Sequence, residues 1–160
     1  MSFSLKNISR DNVETAWNLF NELCDEQGSR RYLKASFDDF CKAFLNGVPP
    51  SFQGLVGYEG GTPVSLVTWD YLFSLYSPRR MFNMRTLYVR PDFRKRGLGR
   101  KLVAFMGQKA MDDDCCAMKW SVMPGNDKAL KFYKSMGIEP DPDGLVEFWV
   151  DQGDFEKLVG

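Results

Sequence analysis

The sequence predicts an α+β fold: an α/β sandwich whose mixed, mostly antiparallel sheet of about six to seven strands is flanked by about four helices. Three observations predict it. Stretches with apolar residues at every second position are interspersed with stretches where they recur every third or fourth. The resulting order is β-α-α-β-β-β-α-β-α-β, and strands that follow one another directly join as antiparallel neighbours. At 160 residues, with 44% hydrophobic and 14% aromatic side chains, the chain is long enough to bury one proper core, so residues 1–160 form a single domain in this reading.

Phe3 and Leu5 alternate with polar neighbours and give a first strand, Ser2 to Ile8. Ser9 or Asp11 is placed to cap a helix whose Val13, Ala16, Trp17, Phe20, Leu23 and Cys24 share one core face. Gly28 and the charged run to Lys34 make a loop. Ser36 with Asp39 opens a second helix carrying Phe37, Phe40, Cys41, Phe44 and Leu45, stopped by Gly47 and Pro49-Pro50. Phe52 to Tyr58 and Val64 to Tyr71 flank Glu59-Gly60-Gly61, a hairpin signal. Ser77-Pro78-Arg79-Arg80 turns the chain into a strand from Met81 to Val89. A helix with Leu98, Leu102, Val103, Phe105, Met106 and Ala110 on one side ends near Met111, and Asp112-Asp113-Asp114 is a solvated loop. Ala117 to Val122 is a strand, and Pro124-Gly125-Asn126 leads into a helix ending at Gly137. Pro140 to Gly144 turns into a final strand with Val146, Phe148 and Val150, and Phe155 and Leu158 anchor a short terminal helix.

Charge and cysteine usage narrow the function. Lys+Arg and Asp+Glu are both 21, a net charge of zero that argues against general nucleic-acid binding. No apolar run approaches a membrane span, and the N-terminus lacks a signal-peptide pattern. Cys24, Cys41, Cys115 and Cys116 form no C-x-x-C and there is no histidine, so no metal site is expected. Free thiols of this kind imply a cytoplasmic protein.

The basic residues are concentrated where chemistry needs them. Arg94, Lys95, Arg96, Arg100 and Lys101 surround Gly97 and Gly99, between the strand ending at Val89-Arg90-Pro91 and the helix from Leu98. A loop opening a helix presents free backbone amides and the positive end of the helix dipole, which suits a phosphate. The stretch is not a P-loop, because Arg100 follows Gly99, nor a dinucleotide fingerprint, because Leu102 holds the third glycine position. What remains is R-x-x-G-x-G, Arg94 to Gly99. Alone, it also reads as a basic loop that happens to contain two glycines.

This stretch resembles the coenzyme A loop of the GNAT superfamily of acyl-CoA N-acyltransferases, whose Q/R-x-x-G-x-G/A follows a strand ending in V-x-P. Asn126-Asp127-Lys128-Ala129-Leu130-Lys131-Phe132-Tyr133-Lys134-Ser135-Met136-Gly137 is similar to that family's N-x-x-A-x-x-F-Y-x-x-x-G helix. The spermidine/spermine acetyltransferase-like group is the nearest in flavour. The resemblance implies a GNAT-type sheet and acetyl-CoA as co-substrate. It implies a small-molecule primary amine as acceptor, and it leaves a homodimer open. It also implies that Leu87, Tyr88 and Val89 pair with the pantetheine arm, which enters where the sheet splays from Ala117–Val122. The loop residues Arg94, Lys95, Arg96, Gly97, Leu98, Gly99 and Arg100 take the diphosphate, and Asn126, Lys128 and Tyr133 complete the cofactor site.

Tyr133 is the candidate general acid, since a phenol with a pKa near ~10 is protonated at neutral pH and can donate to a departing thiolate. Without the resemblance, Phe132-Tyr133 reads as packing. Many relatives carry a glutamate base four residues before the strand's last valine; here that position is Arg85. A water relay, Asp70 or Glu59 must then act as base. Arg85, with Arg79 and Arg80, disfavours a polyamine and suits an amine bearing a carboxylate; Asp70 and Arg85 are the candidate acceptor-binding residues. The alternatives are a catalytically silent coenzyme A-binding sensor, a protein or peptide N-acetyltransferase and, weakly, a nucleotide-binding oxidoreductase.

Overall fold

The computed structural model describes residues 2–46, 51–74 and 77–142. It falls into two compact units, Met1–Asn126 and Asp127–Gly160. The first holds a five-stranded sheet of order β1-β2-β3-β4-β5: β1 (Phe3–Asn7), β2 (Gln53–Glu59), β3 (Thr62–Phe73), β4 (Arg80–Val89) and β5 (Ala117–Lys119). The first four are antiparallel and β5 joins β4 in parallel. This is the expected mixed, mostly antiparallel α+β architecture with fewer strands; the expected last strand and terminal helix lie outside the described residues.

Helix α1 (Val13–Glu26) covers one face of the sheet. Its Ala16 and Leu19 are fully buried with Val56, Leu66 and Tyr88, and Phe20, Leu23 and Phe40 pack around them. Each of the larger aliphatic side chains, Leu19, Val56 and Leu66, contributes about 1.5–3 kcal/mol by leaving water. The N-cap is Asn12 rather than Ser9 or Asp11. Asn12 instead locks the strand-to-helix turn, accepting from the Ser9 amide (2.8 Å) and donating to the Asn7 carbonyl (3.0 Å). Trp17, expected on the core face, is only half-buried, and so is Cys41 of the second helix.

Ser36 and Asp39 form the expected capping box, each side chain taking the other's amide (3.2 and 2.9 Å). The helix they open, α2 (Phe37–Cys41), is shorter than its pattern suggested and passes into a π-helical turn, Lys42–Asn46. That turn carries Phe44 into a line of rings: Trp17, Phe40, Phe44 and Phe52, with successive centroids 5.2, 4.7 and 6.0 Å apart.

Helix α3 (Leu98–Asp112) has Leu98, Leu102, Val103, Met106 and Ala110 buried, whereas Phe105 is 40% exposed and lies off the expected stripe. Trp69 and Phe82 stack at 5.6 Å, with Lys109 of α3 over the Trp69 ring. The Asp112-Asp113-Asp114 run is not simply solvated. Asp113 accepts from Tyr71 and pairs with Lys109 (3.0 Å), which ties the end of α3 to β3. The second unit opens with α4 (Asp127–Lys134), which ends before Gly137, a glycine with φ +77°.

Candidate active site

The site is built around the C-terminal half of β4. Strands β4 and β5 pair only at Met81–Ala117, Phe82–Met118 and Asn83–Lys119. Beyond Asn83, β4 has no second strand partner among the described residues, and β5 stops at Lys119 rather than Val122. The sheet therefore parts on this side. Arg90 donates its amide to Val64 (2.9 Å), and Val89 and Tyr88 lie opposite Ser65 and Leu66. In an antiparallel ladder, alternate residues then turn their N–H and C=O groups outward. Leu87 and Val89 are those residues. The Val89 carbonyl is taken by Arg94 Nε at 2.8 Å, which leaves the Leu87 N–H and C=O and the Val89 N–H on the open edge. The Tyr88 side chain instead points into the α1 core and its hydroxyl donates to Glu22 (3.3 Å).

The loop follows directly. Pro91–Phe93 makes one 3₁₀ turn and Gly97, at φ +78°, caps α3. Lys95 also has positive φ, +61°. A left-handed lysine costs about 1–2 kcal/mol and persists only where its surroundings hold it. They do so through the two flanking arginines. Arg94 forks onto Glu26 of α1 (2.7 and 2.5 Å) besides holding Val89. Arg96 reaches Glu59 of β2 and the Asp92 carbonyl, both at 3.0 Å. Among the described residues, the amides of Lys95, Arg96, Gly97, Leu98 and Gly99 donate to no protein acceptor. An added Cβ at Gly97 would meet nothing within 4 Å, so the space before this nest is open. Five unengaged N–H groups at a helix N-terminus suit a diphosphate. The Arg94 and Arg96 side chains hold the loop, which leaves its main-chain amides as the donors offered to an anion.

Glu22 and Glu26 were invisible to sequence reasoning. They stand one turn apart on α1 and receive Arg90 and Arg94, each 68 residues away. Arg90 is bidentate on Glu22 (2.9 and 2.6 Å) and also donates to Pro63 (2.7 Å). The Arg90 hydrogen bonds hold the Glu22 carboxyl below its usual range. Burial, with Glu22 and Glu26 beside it, pushes the Tyr88 phenol up to about 12.

On the α1–α2 face of β3 and β4, Asp70 accepts from Asn83 (2.7 Å) and faces Arg85 Nε at 3.8 Å. The structure thus brings the two candidate acceptor-binding residues together. A β-bulge does this: Thr68 opposes Thr86 but Trp69 opposes Met84, leaving Arg85 as the extra residue. Arg79 and Arg80 are engaged elsewhere, with Asp114 (3.2 Å) and the Asp113 carbonyl (3.4 Å). Glu59 is occupied by Arg96.

Asn126 closes the first unit, its amide on Met123 (3.0 Å), and immediately precedes α4. Lys128 and Tyr133 lie on α4 in the second unit, Lys128 exposed and Tyr133 buried with Phe132 edge-on at 5.0 Å. Burial pushes the Tyr133 phenol up to about 12. Among the described residues no helix is long and apolar enough to cross a membrane. No group of three or more His, Cys, Asp or Glu among them could hold a metal ion.

A parted sheet with an open strand edge that runs into a loop of unengaged amides has a geometry that suits an extended, diphosphate-bearing cofactor. Residues 14–138 match the Acetyltransferase (GNAT) family, and the chain belongs to it. As in that family, its acyl donor is acetyl-CoA. The chain is 22% identical over 135 residues to a thialysine N-epsilon-acetyltransferase of Caenorhabditis elegans, covering 84% of this chain and 82% of that protein. It is 27% identical over 104 residues to the protein of the same name in Sus scrofa, covering 64% and 61%. An aminoglycoside N-acetyltransferase solved in complex with CoA superposes with a TM-score of 0.76 at 14% identity, covering 94% of this chain and 95% of that one, and has the same fold.

Proposed function

We propose that residues 1–160 form a single N-acetyltransferase domain that moves the acetyl group of acetyl-CoA to the primary amine of a small molecule by direct attack on the thioester. The open edge of β4 beside the unengaged amides of Lys95 to Gly99 carries this reading. When bound, acetyl-CoA supplies an activated acyl carbon and a thiolate leaving group. The main chain of Leu87 and Val89 aligns the pantetheine arm as an added strand, and the loop amides anchor the diphosphate. Holding both reactants in place gives the largest part of the rate. Asn126 and Lys128 join the cofactor site in this reading.

The amine nitrogen attacks the acyl carbon; the C–N bond forms and the C–S bond breaks. Tyr133 gives its hydroxyl proton to the departing sulfur. Its raised pKa keeps that proton in place at neutral pH. Asp70, fixed by Asn83, is the carboxylate by the β4 bulge that takes the amine's proton, directly or through water. The thialysine and aminoglycoside N-acetyltransferases to which the chain is similar support a small amine as acceptor.

Thiol release from acetyl-CoA with a panel of primary amines tests the reading. Wild type turns over at least one small amine, and Tyr133→Phe lowers kcat by about 10²-fold or more with little change in the KM for acetyl-CoA. Tight CoA binding without turnover of any amine favours the silent-binder alternative, which the cation Arg85 at the bulge supports. Acetylation of peptides alone favours a protein acceptor.

A further inference from the structure

Of the arginines from Arg79 to Arg96, Arg85 is the exception. Arg79, Arg80, Arg90, Arg94 and Arg96 each donate hydrogen bonds to a protein carboxylate or carbonyl. Arg85 donates none among the described residues. Its nearest carboxylate, Asp70, is 3.8 Å from Nε, an ion-pair distance beyond hydrogen bonding. Yet its placement is defined. The bulge puts it on the α1–α2 face, where regular alternation from Tyr88 would point residue 85 toward α3. Its guanidinium lies over the Phe52 ring at 5.5 Å. The side chain is 52% exposed and lies beside Asp70 and the aromatic line that ends at Phe52.

We propose that Arg85 is the specificity-determining residue of the acceptor site and binds a carboxylate on the acceptor amine. This rests on the N-acetyltransferase reading. A guanidinium presents donors in a planar fork matched to a carboxylate. Stacking on Phe52 lowers the freedom lost when the fork closes, and offers an apolar surface to the methylene chain between carboxylate and amine. Asp70 lies close enough to draw the amine end of the same molecule while Arg85 holds the acid end. The substrate class is therefore an amino acid, or another amine carrying an acid group, rather than a polyamine, in which every charged group is positive.

The test uses lysine, lysine methyl ester, which keeps both amines but loses the negative charge, and 1,5-diaminopentane. With wild type, kcat/KM for lysine exceeds that for either counterpart by about ten-fold or more, the size expected of a charged hydrogen-bonded contact. Arg85→Gln brings that ratio near one and Arg85→Lys restores part of it, while the KM for acetyl-CoA holds. Equilibrium binding of the same three amines to the CoA-loaded protein gives a second readout that needs no turnover. A wild-type ratio near one in binding, or a ratio that Arg85→Gln leaves intact, overturns the carboxylate assignment even if the amines are acetylated. Preferential binding of lysine that depends on Arg85, without acetylation, keeps the subsite and overturns the transferase reading instead.

Discussion

Tyr133 shows how burial sets one group's chemistry. Its phenol is pushed up to about 12 by loss of solvent, and Tyr88 moves the same way. In the unfolded chain both titrate near 10. The folded state therefore holds these protons more tightly. The stability this contributes is fully present below about pH 10 and is lost as pH rises toward 12. Thermal melts from pH 8 to 11.5 should show Tm falling above pH 10, with a shallower fall for Tyr133→Phe. A flat wild-type profile there would mean the phenols are not buried in this way. The same shift predicts that a Tyr133-dependent rate shows no alkaline loss below pH 10. The candidacy of Tyr133 comes from a motif of fixed spacing, and what the structure adds is its burial. Arg85 was legible only as a residue type, because the bulge that turns it onto the α1–α2 face depends on cross-strand register, which no local pattern encodes.

Among the elements, α1 and the β4 segment depend on each other. Glu22 and Glu26 sit in the C-terminal half of α1, where negative charge opposes the helix dipole, and the last turn has no basic residue of its own. Arg90 and Arg94 supply the missing cations from the other side. Glu22→Gln breaks the fork while leaving Arg90 on Pro63, so it should cost about 1 kcal/mol in urea unfolding at pH 7, a value discounted for partial exposure. Because the Glu22 carboxyl is held below its usual 4.5, its contribution is present above that pH and lost as pH falls through the lowered value. Wild type should thus lose more stability than Glu22→Gln on going from pH 5 to pH 3; equal losses would show that the pair contributes nothing. Helix α3 could be read from periodicity because it buries one stripe, and strands β2, β3 and β4 from short apolar, β-rich runs, which are continuous where both faces are covered, as from Val64 to Trp69. The short α2 with its π turn could not, because Phe37 to Leu45 keeps a helical pattern while the rings of Phe40, Phe44 and Phe52 draw the backbone off it. The truncated β5 has the same kind of cause: its apolar run reaches Val122, but pairing with β4 ends at Lys119.

At the scale of the whole molecule, charge is balanced, so attraction for an anion must be local. Glu26 and Glu59 already pair with the Arg94 and Arg96 side chains, so in the proposed donor site the main-chain amides would carry much of the diphosphate contact. Affinity for CoA should therefore depend only moderately on salt. A ligand that binds only the folded chain stabilises it, by about 2.7 kcal/mol at a hundred times its Kd. For a chain of this length that raises Tm by roughly 5–10 °C. Gly97→Ala separates nest from fold. Its new Cβ meets no atom within 4 Å, so the variant should fold at a cost of about 1–2 kcal/mol for an alanine at φ +78°. In the proposed donor site that Cβ would occupy space an anion needs to reach the amides, so the CoA-induced rise in Tm should shrink well below the wild-type value. Differential scanning fluorimetry of both proteins with and without CoA, at low and physiological salt, measures all of this at once. A wild-type Tm that CoA does not move would remove the donor site from Lys95 to Gly99. An undiminished shift in Gly97→Ala would place the diphosphate elsewhere on the molecule.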